Sequence, residues 1–351
     1  MLSDIVIDWF ALISSQGIGP KTFWALMRRY RTAAEAIKHI EKPFNRLKAE
    51  KILNSMNCNV ILANDQMFPK SLRRTCSCPP LLFYKGDISI INKRKIAIIG
   101  ARNASLTGKS IAKNLAENLS RYFAIVSGLA KGIDTSAHIG SLENPSYKSA
   151  ISVLPMSFDN IYPKENQKLF EKIAENGLVI TEKPYGSHNE QGSFHARNRI
   201  VTLLSEAIIV IEAAAKSGTM TTAQMALDIG CEVLVVPGSP SDPRNFGSNL
   251  LIRNGATLIQ SYEDVLESLN YVQQEHISVV QHKVIEEAQS INQSDLQNKI
   301  LEMLSNVPVT LDELSFQLKV PMQDILCAIS ELELKNMIAR HSSNGIVLGY
   351  K

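Results

Sequence analysis

Two arginines flank an asparagine in the stretch Phe194-His195-Ala196-Arg197-Asn198-Arg199-Ile200. Further on, Lys216-Ser217-Gly218-Thr219-Met220-Thr221-Thr222-Ala223 supplies a lysine, hydroxyls and a glycine just ahead of a helical pattern. A turn of that kind presents free backbone N–H groups and the positive end of a helix to an anion. Guanidinium groups grip phosphate oxygens in a fixed fork, and an aromatic ring stacks on any base. Phe194, Arg197, Asn198, Arg199, Lys216, Ser217, Gly218 and Thr219 therefore form a candidate site for a phosphate backbone with a base on the ring. The same residues allow a plainer reading, in which the arginines make surface ion pairs and Phe194 belongs to the core.

Elements of regular structure must position these groups. Ala207-Ile208-Ile209-Val210-Ile211 is an unbroken apolar run, the pattern of a strand buried on both faces. Comparable candidate strands are Lys95–Ile99, Phe123–Val126, Ala150–Leu154, Leu178–Thr181, Val233–Val236 and Thr257–Ile259. Helical patterns lie between them, over Thr107–Arg121, Ile133–Leu142, Glu165–Glu175, Ala196–Leu204 and Thr221–Ile229. The alternation predicts an α/β domain with a mostly parallel sheet covered on both faces. Ligands bind such sheets beyond the carboxyl ends of the strands.

After the first of these strands comes Gly100-Ala101-Arg102-Asn103-Ala104-Ser105, with Gly108 further on. An arginine stands where a dinucleotide fold needs glycine, and the next strand ends at Ser127-Gly128 without an acid for a ribose. Both features count against NAD or FAD. They fit a small anion site in which Arg102 grips a phosphate at a helix N-terminus. Ser127-Gly128-Leu129-Ala130-Lys131-Gly132-Ile133-Asp134 is a second glycine-rich turn with a lysine, Lys131. Asp134 reads either as part of that site or as an acid of a helix first turn. His138, without a partner carboxylate or nucleophile in view, reads as structural.

Taken in order, Gly100-Ala101-Arg102, Ser127 to Asp134, Tyr162-Pro163-x-x-Asn166, Phe194 to Ile200, Ser217-Gly218-Thr219 and Val236-Pro237-Gly238-Ser239 closely resemble the DNA-processing protein A family (DprA, also called Smf). The resemblance is dense over roughly residues 80–265 and looser in the flanks. It implies an extended Rossmann-like domain that binds single-stranded DNA, forms a homodimer and helps load the RecA recombinase onto incoming DNA. By the same resemblance Arg102, Lys131, Phe194, Arg197 and Arg199 lie in the DNA groove. Phe194 is then the stacking ring, and Ser217 to Thr219 make a backbone phosphate contact. Asn189-Glu190-Gln191-Gly192 departs from the pattern, with an acid where members often carry proline or a basic residue.

The chain of 351 residues exceeds one typical core, so two or three domains are expected. Residues 1–80 read as a helical domain, SAM-like or helix-hairpin-helix-like. Its turn Gly17-Ile18-Gly19-Pro20-Lys21-Thr22 is followed by Arg28, Arg29 and Arg31, and glycine lets the backbone approach a phosphate. It reads equally as an ordinary inter-helix turn. This part holds 12 Lys and Arg against 6 Asp and Glu. Residues 81–270 form the Rossmann-like domain, 271–294 a linker rich in Gln, Glu and Asn, and 295–351 a winged-helix-like domain. Thr310 and Glu313 suit a capping box there. Asp324, Glu331 and Glu333 on its last helix repel phosphates, which favours a protein-binding or structural role.

Five cysteines without periodic spacing argue for a reducing compartment. Cys76 and Cys78 lack a second pair at zinc-ligand spacing. No signal peptide or membrane-length apolar stretch is read, so a cytoplasmic protein is expected. No cofactor and no metal are expected. The competing function is a nucleotide phosphoribohydrolase of the lysine-decarboxylase-like Rossmann type. Such enzymes place a glutamate where this chain has Thr222, so the expected catalytic carboxylate is missing. A nuclease is disfavoured because no acid cluster suggests a metal pair. The preferred reading is a DNA-binding mediator rather than an enzyme, with positions near Met225–Val235 as candidates for the dimer surface.

Overall fold

Ile96, Ala97, Ile98 and Ile99 are stiff or small side chains with no polar interruption, and they form the centre of a nine-stranded sheet. The computed structural model describes residues 3–186, 192–271, 293–304, 309–318, 320–335, 337–340 and 346–348. The strands are β1 (Asn59–Leu62), β2 (Leu81–Gly86), β3 (Lys95–Gly100), β4 (Ala124–Ser127), β5 (Ala150–Leu154), β6 (Leu178–Thr181), β7 (Ala207–Ile211), β8 (Glu232–Val235) and β9 (Thr257–Leu258). Their order across the sheet is β1-β2-β6-β5-β4-β3-β7-β8-β9. From β6 to β9 every pairing is parallel, as the alternation predicts. β2 adds to β6 antiparallel, and β1 adds to β2 antiparallel.

β1 corrects one expectation, since residues 59–62 lie within the stretch read as helical. Asn-Val-Ile-Leu is a short apolar run, and tertiary pairing with β2 makes it a strand.

Helices cover the sheet: α6 (Leu106–Leu119), α7 (Ile133–Ser141), α8 (Gln167–Asn176), α9 (Ser193–Leu204), α10 (Gly218–Asp228), α11 (Phe246–Arg253) and α12 (Tyr262–Ser268). The N-terminal segment supplies α1 (Asp4–Ile13), α2 (Pro20–Tyr30), α3 (Ala33–Ile37), α4 (Arg46–Ser55) and α5 (Lys70–Arg73). Phe10, Leu12 and Phe23 of this segment share one buried cluster with Phe83, Val126 and Ile180 of the sheet.

The chain divides into two compact units, Met1–Ser268 and Leu269–Lys351. In the second, α13 (Gln293–Met303), α14 (Leu311–Leu318) and α15 (Met322–Leu334) are followed by the pair β10 (Ile338–Arg340) and β11 (Ile346–Leu348). Ile300, Leu314, Ile325 and Ile329 form its core. The capping box is present: Thr310 N–H donates to Glu313 Oε2 at 2.9 Å, and Glu313 N–H donates to Thr310 Oγ1 at 3.3 Å. Of the stretch read as a linker, residues 272–292 lie outside the described residues. Among the described residues no helix is long and apolar enough to cross a membrane.

Candidate nucleic-acid interface

β3 pairs with β4 on one side and β7 on the other, so the strand order reverses there. A crevice opens beyond the carboxyl ends at such a switch point. In this chain it is a pocket of about 520 Å³. Its lining includes Gly100 to Asn103 after β3, Ala130 and Asp134 after β4, Phe194, Arg197 and Asn198 of α9, and Ser217 to Thr219 before and in α10.

The Arg102 guanidinium lies 4.8 Å from the centroid of the Phe194 ring. Tyr162, which follows β5 and precedes a cis Pro163, meets that ring edge-on at 6.0 Å. Phe194 is half-buried and Arg102 exposed, so a ring and a cation face solvent together. Opposite them, Ser217 caps α10 by accepting the Met220 N–H at 3.4 Å. A β-carbon at Gly218 would meet nothing within 4 Å, so the first turn of this helix is open to an approaching anion. Thr219 Oγ1 donates to the Gly100 carbonyl at 3.1 Å and ties this turn to the end of β3.

Beneath the opening lies a charged core. Arg197 is 5 % exposed, and its Nη1 donates to the carbonyl oxygens of Gly128 and Val153. Asn198 accepts from Arg197 Nε at 3.0 Å and donates to Thr222 Oγ1 at 2.8 Å. Asp134, an acid in the first turn of α7, accepts from the N–H groups of Gly128 at 3.1 Å and Ala130 at 3.3 Å. Burial pushes the Asp134 carboxyl up against the pull of Arg197. Burial pushes the Arg197 guanidinium down to about 10 against the pull of Asp134, so it stays charged at neutral pH. His138 is fully buried, as a structural residue should be, and burial with the Arg197 charge pushes it down to about 3.

The first turn of α6 corrects an expectation. Ser105 caps this helix by accepting the Gly108 N–H at 2.8 Å, and the Ser105 N–H donates to Glu212 Oε2 at 2.8 Å. Ser105 Oγ also donates to Glu212 Oε1. The chain's own carboxylate thus sits where a phosphate held by Arg102 at this helix end was expected. Glu212 adopts φ 53° and is 7 % exposed.

A family model described as DNA recombination-mediator protein A matches residues 59–270, a DprA-like N-terminal HHH domain model matches 4–51, and a DprA winged helix domain model matches 286–344. The chain belongs to the DprA/Smf family. It is 34% identical to the DNA processing protein DprA of Bacillus subtilis over 76% of this chain and 90% of that protein. It is 31% identical to Protein Smf of Escherichia coli over 82% of this chain and 76% of that protein. Among solved structures it resembles DprA from Streptococcus pneumoniae, with TM-score 0.61 and 32% identity over 72% of this chain and 87% of that one. It also resembles DNA processing protein A from Helicobacter pylori, described for its single-stranded DNA binding mode, with TM-score 0.56 and 30% identity over 62% of this chain and 97% of that one.

In this DprA-family chain the motifs separate by place. Arg102, Phe194, Arg197, Asn198, Ser217, Gly218 and Thr219 line one pocket. Lys131 and Lys216 are exposed and do not line it, and Lys131 pairs with Glu165 at 2.8 Å. Arg199 lines a different cleft, where its Nη2 donates to Glu182 Oε1 at 2.6 Å. The Val236 to Ser239 motif is scaffold, because Asn249 Nδ2 donates to the Gly238 carbonyl at 2.9 Å and pins α11. Sequence reading missed Arg244, which lines the DprA pocket and pairs with Asp242 at 2.7 Å. No motif marks it, since a loop and a short helical turn carry it in from beyond β8. Residues 189–191 of the departing stretch lie outside the described residues, and Gly192 stands before α9.

Proposed function

We propose that this chain is a single-stranded DNA-binding recombination mediator. One observation carries the reading: Arg102 lies over Phe194 at the rim of the switch-point pocket, facing the open first turn of α10. A ring takes one base of any type, and the cations and N–H groups take adjoining phosphates. Arg197 serves this site from below by holding α9 against the end of β4 and β5, and Asn198 by tying α9 to α10 through Thr222. The single-strand binding described for the Helicobacter pylori relative supports the reading.

The mediator acts in the cytoplasm, as a homodimer, protecting incoming single strands during transformation and helping to load RecA. The family model's description as a recombination mediator supports that task. Leu227 and Ile229 are 46% and 51% exposed at the end of α10 and supply an apolar surface for the second copy. Binding rather than catalysis fits the position of Thr222. Its hydroxyl is buried and held between Gly218 O at 3.0 Å and Asn198 Nδ2 at 2.8 Å, where a hydrolase would carry its acid.

The test is fluorescence anisotropy of a labelled oligo-dT and its duplex over a salt series, for wild type, Arg102→Ala and Phe194→Ala. The single strand should bind in preference to the duplex. Phe194→Ala should cost roughly 1–3 kcal/mol with the salt slope unchanged. Arg102→Ala should make the slope shallower by about 0.7. Equal binding of strand and duplex, or no effect of either substitution, sinks the reading. Filament assembly by RecA on protein-coated strands, with and without this chain, tests the loading role.

A further inference from the structure

Helix α2 follows the Gly17-Ile18-Gly19 turn and carries Lys21, Trp24 and Arg28. Spacings of three and four place these side chains on one face. Arg73, the last residue of α5, faces them across a pocket of about 680 Å³. Trp9 and Trp24 line that pocket with ring centroids 5.6 Å apart and planes at 88°. Trp24 is held in place: its Nε1 donates to the Cys78 carbonyl at 2.8 Å, and Phe23 meets it edge-on at 5.2 Å.

The cations converge without a counter-charge. Lys21, Arg28 and Arg73 are exposed, and no Asp or Glu lines the pocket. Among the described residues, Lys21 and Arg28 have no hydrogen-bond or ion-pair partner. Arg73 is already positioned, with Nη2 donating to the Asp65 carbonyl and its guanidinium 5.8 Å from the Phe68 centroid. A merely solvated basic face needs no indole floor, and a core needs no cations. The volume lies within the range of about 300–1,000 Å³ usual for small-molecule sites. An aromatic floor under a rim of cations is the chemistry of a base with its phosphate.

We propose that the pocket framed by Lys21, Trp24, Arg28 and Arg73 is a second nucleotide site, separate from the switch-point pocket. The base lies against the Trp24 indole, and the phosphate is held by the three cations. The nucleotide is either a unit of a bound single strand or a free mononucleotide. Only the first of these sources rests on the strand-binding reading above.

The chain offers its own probe, because Trp9 and Trp24 are its 2 tryptophans and both line this pocket. Indole emission of the full chain is titrated with unlabelled oligo-dT and, separately, with thymidine monophosphate. Anisotropy of a labelled strand follows binding at the switch-point pocket in parallel. Wild-type emission should quench saturably with at least one probe, and half-saturation should rise at least about tenfold in Lys21→Ala/Arg28→Ala/Arg73→Ala. Arg28→Glu, a single exposed change, should act in the same direction and guards against misfolding of the triple variant. Quenching by oligo-dT identifies a strand unit, and quenching by the monophosphate alone identifies a free nucleotide. Emission unmoved by both probes while anisotropy reports a bound strand overturns the site, as does quenching that both variants leave intact. Loss of the anisotropy signal with monophosphate quenching retained overturns the strand reading and leaves this pocket standing.

Discussion

The Arg197 guanidinium occupies the space that a β-carbon at Gly128 would need. A β-carbon built there falls 2.4 Å from Arg197 Cζ, while Arg197 Nη1 donates to the Gly128 carbonyl. Glycine at the end of β4 therefore allows a buried cation to reach the backbone. Gly128→Ala and Arg197→Ala should each cost about 3 kcal/mol in chemical denaturation, the second by stranding Asp134 and two carbonyls. In the Arg197→Ala background, Gly128→Ala should cost under about 1 kcal/mol, because the clash is gone. Strict additivity would show that the two positions do not share this space. Lost DNA binding in Arg197→Ala reports stability as well as contact, which is why Arg102 and Phe194 are the cleaner probes.

The first turn of α6 gives a change of sign. Gly→Ala inside a helix ordinarily gains about 1 kcal/mol. At Gly108 the new β-carbon would lie 2.6 Å from Glu212 Cδ, and that carboxylate is held by Ser105. Gly108→Ala should therefore lower the melting temperature in wild type and raise it in a Glu212→Ala background. A gain in both backgrounds would mean that the Glu212 side chain moves aside freely.

Lys131 and Glu165 pair in water, with half or more of each side chain exposed. Screening makes such a pair easy to open for a phosphate. Glu165→Gln should tighten single-strand binding and steepen its salt slope by about 0.7, one further phosphate contact. An unchanged slope would place Lys131 outside the strand's path.

His138 supplies a pH dependence. Its folded value, about 3, lies below the ordinary 6.5, because burial and the Arg197 charge disfavour the imidazolium. The unfolded chain takes up this proton first. The contribution to stability is therefore complete above pH 6.5 and is lost as pH falls toward 3. Between 6.5 and 5 the loss is about 2 kcal/mol. Asp134, raised by burial, works in the opposite direction above its ordinary value of 3.8. His138→Leu should remove the acid-side loss that wild type shows in urea midpoints from pH 7 to 5. The ring nitrogens make no well-formed hydrogen bond among the described residues, and the Ser127 backbone is only a minor pull toward the charged ring, so leucine removes little hydrogen bonding there. Parallel wild-type and variant profiles would show that His138 is not the group that titrates.

Much of this protein was legible in its residues. Unbroken apolar runs such as Ala207–Ile211 mark strands buried on both faces, and their alternation with helical periods marks a parallel sheet. Local chemistry also sufficed for the glycine-rich strand ends and for the capping box at Thr310. Tertiary structure decided the rest, because charge and hydrogen-bonding roles depend on what lies across space. Arg102, Arg197 and Arg199 are the same residue type, yet one rests on a ring, one is buried against carbonyls, and one faces Glu182 in another cleft. Nothing local in Glu212 announces that it takes the helix end expected for a phosphate, since Ser105 lies 107 positions earlier. Residue types and periods are written along the chain, whereas partners are chosen by packing between segments far apart in it.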